Sequence, residues 1–309
     1  MWLICCLVIV VAGMVLIPWI MNPENLRDEK NKINSFLYRT FETDSYNAKS
    51  LIMVDRSNNS VFISKREDEH QLPASLAKLF VIEYAYTLFD LDSLVEVNQE
   101  ALAFVKQGSS VAGIRTTAYY FKDLLAAMLV PSGNDAAYVV ADYCGGILSL
   151  EAKTSQERID LFMRSLNQYL QECGYKDTVL YDPSGYDMEA HTTVWDIKKV
   201  ADSLLENQWF RYIVSQHIYI ATLPDGSTQT WENTNEFLNR ASEYYNERIV
   251  GVKTGSLADD YNLVVLYQQH KKEFLICSLG SQSDTSRYDD VNYIMKTIDE
   301  LDYLESEVE

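Results

Sequence analysis

The chain has 309 residues, of which 47% are hydrophobic, so it is long enough to bury one large core or two modest ones. Its formal net charge of −19 and its sequence pI of about 4.6 argue against binding to a nucleic-acid phosphate backbone. The sequence contains no basic cluster, no phosphate-binding glycine loop and no histidine or cysteine spacing typical of metal sites. It therefore predicts neither a metal nor another cofactor, and no nucleic-acid partner.

The N-terminal segment is the first predicted element. Residues 2–21 carry no charged side chain, and about twenty apolar residues are enough to cross a bilayer. Because the run lacks a basic start and an Ala-x-Ala exit, it favours a retained transmembrane anchor at 1–21 over a cleaved signal peptide. The polar stretch 22–45 is interpreted as a juxtamembrane stalk. Basic residues follow the span, so the positive-inside rule would place the rest of the chain inside the cell, which conflicts with the function inferred below.

A hairpin and a buried helix come next. The strand-like runs 50–55 and 60–65 are separated by turn residues, which predicts a β-hairpin. From Leu76 to Phe89 the chain is apolar at almost every position, so we expect a buried helix that begins near Ser75. Ser75 and Lys78 share a face of that helix, and burial would lower the pKa of the lysine until it can activate the serine. The alternative is an N-cap serine followed by a snorkelling lysine.

The remaining elements predict an α+β fold. Helices are expected in the middle of the chain, at Phe121 to Val130, from Asn134 to Cys144, from a capping box at Thr154 to Gly174, and from Thr193 onward. Strands are expected within 248–280, followed by a closing helix from about Arg287 to Leu304. Strands at both ends of a helical middle predict one antiparallel sheet. The cysteines Cys144, Cys173 and Cys277 are interpreted as buried thiols rather than as disulfide partners.

Two further motifs accompany the Ser-x-x-Lys pair. Ser132-Gly133-Asn134 lies on the link between two predicted helices, and Lys253-Thr254-Gly255 ends a predicted strand. A Ser-x-Asn match is expected about once by chance, and Ser57-Asn58-Asn59 is such a match in the hairpin turn. A Lys-Thr-Gly match is far more specific, with a chance expectation of about 0.03. Their order is the signature of the penicillin-recognising serine enzymes.

The words around these motifs carry a closer resemblance. The chain resembles the low-molecular-mass D-alanyl-D-alanine carboxypeptidases in the segments around Ser75 (LPASLAKL), Ser132 (VPSGNDAA) and Lys253 (GVKTGSL). It also resembles them in YDPSGYD, from Tyr181 to Asp187, and in HTTVWDIKKVA, which begins at His191. The resemblance covers about residues 46–305. It implies the β-lactamase/transpeptidase-like fold, with an antiparallel sheet flanked by helices and an all-helical subdomain. It also implies that residues 46–309 form a penicillin-binding catalytic domain on the extracytoplasmic side of the membrane.

The resemblance implies five catalytic side chains. Ser75 would attack the bond between the two terminal D-alanines of a peptidoglycan stem peptide and form an acyl-enzyme, with Lys78 as general base. Ser132, held by Lys253, would relay a proton to the leaving amine. Asn134 would hydrogen-bond Lys78 or the substrate amide. β-Lactams are expected to be covalent inhibitors that acylate the same serine.

Four further positions are expected to bind substrate. The oxyanion would lie between the backbone N–H groups of Ser75 and Ser256, with Gly255 in the same segment. The hydroxyl of Thr254 and the guanidinium of Arg287 would bind the substrate carboxylate.

Other functions stay open at the level of sequence. A class A β-lactamase needs a glutamate where this chain has Met163, although Leu166-Asn167 matches the rest of that motif. The domain can also be a tethered β-lactam sensor or an inactive peptidoglycan-binding module. A histidine-based triad and a cysteine nucleophile are disfavoured, because no Gly-x-Ser-x-Gly elbow is present and the cysteines lie in apolar patterns. The segment from Tyr212 to Glu247 is interpreted only as a binding or covering loop.

Overall fold

The computed structural model describes residues 45–115, 117–269 and 271–299. The predicted anchor at 1–21, all of the predicted stalk except Ser45, and residues 300–304 of the predicted closing helix lie outside the described residues. Within the described ranges, no helix is both long and apolar enough to cross a bilayer.

A five-stranded antiparallel sheet joins the two ends of the described chain, as predicted. Its strand order is β2-β1-β9-β8-β7, so the first hairpin pairs in the centre of the sheet with a strand from near the C-terminus. Two short antiparallel pairs, β3-β4 and β5-β6, lie outside it. The strands are β1 (Ser50–Asp55), β2 (Ser60–Lys65), β3 (Leu94–Glu96), β4 (Ala118–Tyr120), β5 (Ile218–Thr222), β6 (Thr228–Glu232), β7 (Ile249–Leu257), β8 (Asp260–Gln269) and β9 (Lys272–Ser281).

Six of the eight helices of the described residues follow the predicted positions with shifted ends, and two short helices, the second and the seventh, were not predicted. They are α1 (Ala77–Leu88), α2 (Gln99–Leu102), α3 (Phe121–Leu129), α4 (Asn134–Leu148), α5 (Ser155–Glu172), α6 (Val194–Leu205), α7 (Gln208–Val214) and α8 (Asp284–Asp299). The capping box of Thr154 and Glu157 is present at the start of α5, and the Thr193 side chain caps α6. Helix α4 continues four residues beyond the predicted Cys144, and α8 begins three residues before the predicted Arg287.

Both faces of the sheet are covered by helices. Because side chains alternate across a strand, Ile52 and Val54 of β1 join the larger, helix-rich core, while Leu51 and Met53 join a second core that α8 completes. Helix α1 is the central helix of the larger core and packs against α3, α4, α5 and α6. Its first nine residues are all buried, as its continuous apolar run predicts. Any polar side chain on this stretch of α1 is therefore removed from water.

Two sequence interpretations change in the structure. Cys173 is exposed, whereas Cys144 and Cys277 are buried as predicted. The reason is that Cys173 is the C-cap residue of α5 and Gly174, at φ +80°, turns the chain away, so the cysteine leaves the apolar stripe of the helix. The segment from Tyr212 to Glu247, interpreted as a loop, contains the end of α7, the β5-β6 hairpin and a 3₁₀ turn at Glu236–Leu238.

Candidate active site

Ser75 lies on a tight turn that leads into the central helix. Residues Ala74–Leu76 form a 3₁₀ turn directly before α1, and Ala74 has a φ of +47°, a conformation that a residue with a side chain rarely adopts. The strained turn leaves Ser75 half-buried and facing a cleft, while Lys78, one turn later, points inward. The Nζ of Lys78 lies 2.9 Å from the Oγ of Ser75.

The environment of Lys78 is fully buried and contains only neutral hydrogen-bond acceptors. Besides Ser75, its Nζ bonds to the Oδ1 of Asn134 at 2.8 Å and to the backbone carbonyl of Ser184 at 2.9 Å. Burial lowers the pKa of Lys78 from 10.5 to about 7, although the charges of Asp182 and Asp135 oppose that change. A substantial fraction of the amine is therefore neutral at pH 7.

The second motif is brought to the same place by the start of α4. Ser132 has a φ of +62° on the link between α3 and α4, and Asn134 is the first residue of α4. The Nζ of Lys253 lies 2.7 Å from the Oγ of Ser132 and 2.8 Å from the carbonyl of Thr254. Burial, followed by the charges of Lys78 and Arg287, lowers the pKa of Lys253 well below its ordinary value.

Strand β7 carries the third motif along the edge of the sheet. A side-chain carbon added at Gly255 would lie 3.3 Å from the backbone nitrogen of Ser75, so the strand and the serine turn pack backbone against backbone. The exposed Ser256 follows at the edge of the cleft. The hydroxyl of Thr254 bonds to the hydroxyl of Thr234 at 2.6 Å, a partner that the sequence did not indicate.

Arg287 lies behind this strand rather than on the wall of the cleft. Its guanidinium donates to the carbonyl of Gly255 and to the Oγ of Ser256, both at 3.2 Å, and it pairs with Asp284 one turn away on α8. Only 5% of the residue is exposed. The structure therefore brings Arg287 to the predicted substrate-binding segment, where its two terminal nitrogens already bond to protein oxygens and its Nε is buried without a hydrogen-bond partner among the described residues.

The cleft beside Ser75 is polar and carries no formal charge on its walls. It has a volume of about 270 Å³, and its lining includes Ser75, Ser109, Ser110, Asn134, Tyr186 and Ser256. No carboxylate is among the side chains that line it. In the described part of the chain, no group of three or more histidine, cysteine or acidic residues is arranged to hold a metal ion.

The structure thus brings together the five side chains predicted to be catalytic, although they come from three remote segments. The chance Ser-x-Asn match at Ser57 lies in the β1-β2 turn, where the Ser57 side chain bonds to Asp55. The sequence reasoning missed the role of Asp135, and it identified the segment 181–187 only by family resemblance, without a role for Asp182. Asp135 accepts the backbone N–H groups of Ala112 and Ile114, both at 2.8 Å. The acidic residue directly after the Ser-x-Asn motif was the available signal.

The position of a β-lactamase-type base is occupied by structural residues. Met163 is buried on α5, and its carbonyl accepts the Asn167 side chain at 2.9 Å. Asn167 also bonds to the backbone N–H and carbonyl of Leu180, at 3.0 and 2.7 Å. The Asn167 side chain therefore holds the backbone at Leu180, which leads to the 182–187 loop. Neither Met163 nor Leu166-Asn167 provides a carboxylate that could activate a water molecule.

Known proteins of one family are similar in sequence to most of this chain. Residues 38–282 match the family model described as D-alanyl-D-alanine carboxypeptidase. A protein of that name from Streptomyces sp. (strain K15) is 26% identical over 78% of this chain and 84% of its own length. One from Escherichia coli is 25% identical over 82% of this chain but only 61% of its own length, so the chain spans part of that relative.

Solved structures share the fold. The crystal structure of the Streptomyces K15 DD-transpeptidase superposes with a TM-score of 0.72 at 26% identity, over 81% of this chain and 96% of that one. The ampicillin-bound penicillin-binding protein D2 of Listeria monocytogenes superposes with a TM-score of 0.64, over 81% of this chain and 97% of that one. Its identity is 19%, so it bears on the fold alone. The predicted α+β architecture is confirmed.

Proposed function

The chain belongs to the D-alanyl-D-alanine carboxypeptidase family of serine peptidases, and from that premise we propose that it removes the terminal D-alanine of peptidoglycan stem peptides through an acyl-enzyme on Ser75. The observation that carries the proposal is the buried Lys78 amine, 2.9 Å from the Ser75 hydroxyl and bonded only to neutral groups. A serine hydroxyl is a poor nucleophile until a base takes its proton, and a neutral amine is such a base.

The fixed acceptors around Lys78 orient its lone pair. A neutral amine has two N–H donors, and the Asn134 Oδ1 and the Ser184 carbonyl can only accept hydrogen bonds. With both donors used in this way, the nitrogen lone pair is left for the Ser75 O–H. This arrangement supports Lys78 as the general base and gives Asn134 a part in holding it.

Acylation then follows with balanced proton transfers. The Ser75 oxygen attacks the carbonyl of the penultimate D-alanine while its proton passes to Lys78, and a tetrahedral intermediate forms. The C–N bond breaks as the Ser132 hydroxyl protonates the leaving amine, and Ser132 takes up in return the proton that Lys78 received, so both groups regain their starting states. Lys253, 2.7 Å from the Ser132 hydroxyl, holds Ser132 in place. Water then attacks the ester and gives one proton to Lys78, which passes it to the departing Ser75 oxygen, and the shortened peptide leaves as an acid that ionises to the carboxylate.

Substrate binding is assigned to the edge strand. β7 is the last strand of the sheet within the described residues, and its Ser256 and Leu257 line the cleft. An edge strand of this kind can hydrogen-bond an extended peptide. The close approach of Gly255 to Ser75 supports an oxyanion site between the N–H groups of Ser75 and Ser256. The Thr254 hydroxyl would bind the terminal carboxylate, with Arg287 contributing positive charge from behind the strand.

Labelled penicillin and a stem pentapeptide together test the proposal. We expect a long-lived penicillin adduct on Ser75, seen by intact mass and peptide mapping, and D-alanine release from the pentapeptide. Both should disappear in Ser75→Ala, which deletes one oxygen and should leave the melting temperature unchanged. An adduct without D-alanine release would instead indicate a β-lactam sensor, and rapid penicillin turnover would indicate a β-lactamase.

We also propose that residues 1–21 anchor the protein in the cell membrane and that the domain beginning at residue 46 lies outside the cytoplasm, where the cell wall is built. The uncharged apolar run of the sequence supports the anchor, and the substrate supports the orientation. Protease digestion of intact spheroplasts tests the orientation. Cleavage of the domain is expected, whereas protection until the membrane is lysed would place it inside.

A further inference from the structure

Asp182 gathers the loop that follows it into a compact turn. Its Oδ1 accepts the backbone N–H of Ser184 at 2.8 Å and of Gly185 at 3.1 Å, and also the Ser184 hydroxyl. Its Oδ2 accepts the backbone N–H of Asp187 at 2.7 Å. One carboxylate therefore holds three backbone donors within six residues, which is the way an aspartate fixes an Asx-type turn.

The turn that Asp182 holds is packed directly on the Ser-x-x-Lys motif. The Ser184 carbonyl accepts the Lys78 ammonium or amine at 2.9 Å. Gly185 has a φ of +78°, and a side-chain carbon there would lie 1.9 Å from the carbonyl oxygen of Ala74 and 2.8 Å from the Cβ of Ala77. The loop backbone thus contacts both the strained residue before Ser75 and the first residue of α1.

We propose that Asp182 is a positioning residue for acylation: its carboxylate folds the 182–187 loop so that the Ser184 carbonyl and Gly185 hold Lys78 and the Ser75 turn in reacting geometry. The proposal rests on the function proposed above, with Lys78 as the base. It assigns a role to a side chain that neither touches substrate nor belongs to the three motifs.

The charge of Asp182 acts on Lys78 as well. After burial, which lowers the pKa of Lys78, the Asp182 carboxylate is the strongest influence, and it raises that pKa. Loss of the carboxylate should therefore lower the pKa of Lys78 further. More of the amine would be neutral at acidic pH, but it would be a weaker base, because base strength falls with the pKa.

The test compares Asp182→Asn with Asp187→Asn, a matched control in the same loop. The Asp187 side chain accepts the Glu189 N–H and does not contribute to the pKa shift of Lys78. The second-order rate constant of penicillin acylation is measured from pH 5 to pH 9. For Asp182→Asn we expect a plateau about tenfold to a hundredfold lower and an acidic limb moved down by roughly one pH unit. Asp187→Asn should retain the wild-type profile.

Other outcomes separate the possible explanations. A lower melting temperature with an unmoved acidic limb and plateau would reduce Asp182 to a structural residue and overturn the proposal, as would an equal effect of the control. If wild type itself forms no Ser75 adduct, the proposed function fails instead. Asp182→Glu keeps the charge, so its acidic limb should stay at the wild-type pH while its plateau falls. If Asp182→Asn is recovered unfolded, Asp182→Ser, whose hydroxyl can accept from the Ser184 N–H, replaces it in the same assay.

Discussion

Two clusters of cationic side chains in this molecule differ in what surrounds them. In the ion-pair cluster, formed by Arg56, Asp202, Glu206, Arg211 and Glu273, every cation contacts carboxylates. Arg56 bonds to the three acids at 2.6 to 2.8 Å, and Arg211 grips Glu273 with two bonds of 2.6 and 2.8 Å. In the active site, Lys78 and Lys253 are more deeply buried, yet their bonds are to hydroxyl, amide and carbonyl oxygens.

The difference decides which groups can exchange protons near neutral pH. The hydrogen bond from Arg211 lowers the pKa of Glu273 to about 2, and although burial alone would lower the pKa of Arg56, Asp202 and Glu273 raise it. Arg56 and Glu273 therefore stay charged near neutral pH, and the cluster joins the β1-β2 turn to β9, α6 and α7. The pKa of Lys78 is instead brought to about 7, because its charge is buried without a bonded counterion. A cation that is paired with carboxylates keeps its charge, whereas a buried amine without such a partner can lose its proton and act as a base.

The largest effect is expected from replacing Lys78 by methionine. The methionine side chain fits a buried, unbranched position, so we expect the free energy of unfolding to stay the same or rise. Acylation by penicillin should fall by about a thousandfold or more, because the general base is lost. Urea denaturation and stopped-flow acylation measure the two effects. A rate within tenfold of wild type would remove Lys78 from the mechanism.

Lowering the pH should affect the two clusters differently. Below about pH 7 the rate of acylation should fall roughly tenfold for each pH unit as Lys78 gains its proton, so pH 5 should be about a hundredfold slower than pH 8. Glu273 remains ionised at pH 5, and the ion-pair cluster should hold the fold. Circular dichroism should show no unfolding at pH 5, and the rate should recover on return to pH 8. A rate that stays flat between pH 8 and pH 5 would contradict a neutral-amine mechanism.

Glu273→Gln should lower the stability of the fold and leave acylation unchanged, which is the reverse of the result expected for Lys78→Met. It removes the carboxylate shared by Arg56 and Arg211, so we expect a loss of about 2–3 kcal/mol in the free energy of unfolding with no change in acylation at pH 8. Because the pKa of Glu273 is depressed in the fold, its contribution is complete above its ordinary value of 4.5 and is lost as the pH falls towards 2. The stability difference between wild type and variant should shrink over that interval. An undiminished difference at pH 2 would assign the effect to packing instead.

The sequence predicted the buried active-site lysine, but it did not predict the ion-pair cluster. The three motifs and the apolar run after Ser75 predicted a buried lysine beside a serine, because a helix that is apolar all round leaves its polar residues no water. The five strands of the main sheet and the caps at Thr154 and Thr193 were predictable from local patterns, whereas the short strands β3, β4, β5 and β6 were not predicted. The order of motifs along the chain could not reveal that Arg287 is already paired with Asp284, although their spacing of three residues in a helix was a usable signal.

Long-range partners account for what the sequence did not reveal. Asp135 lies in the predicted helix that starts at Asn134, and its role depends on the remote backbone N–H groups of Ala112 and Ile114. The bonds of Asp182 are local, but their effect depends on the fold placing the Ser184 carbonyl beside Lys78. Likewise, Glu273 and Arg56 lie far apart in the sequence and meet only because β1 pairs with β9. Cys173 was misassigned because the helix from Thr154 was predicted to run to Gly174, whereas it ends at Glu172 and Cys173 is its C-cap residue.

Direct titration of Lys78 tests the central claim without depending on reaction rates. With lysines labelled with ¹³C at Cε, one NMR resonance should titrate near pH 7 and be missing from the spectrum of Lys78→Met. If the resonance assigned in this way titrates near the ordinary lysine value of 10.5, Lys78 is charged at neutral pH and cannot be the base that activates Ser75.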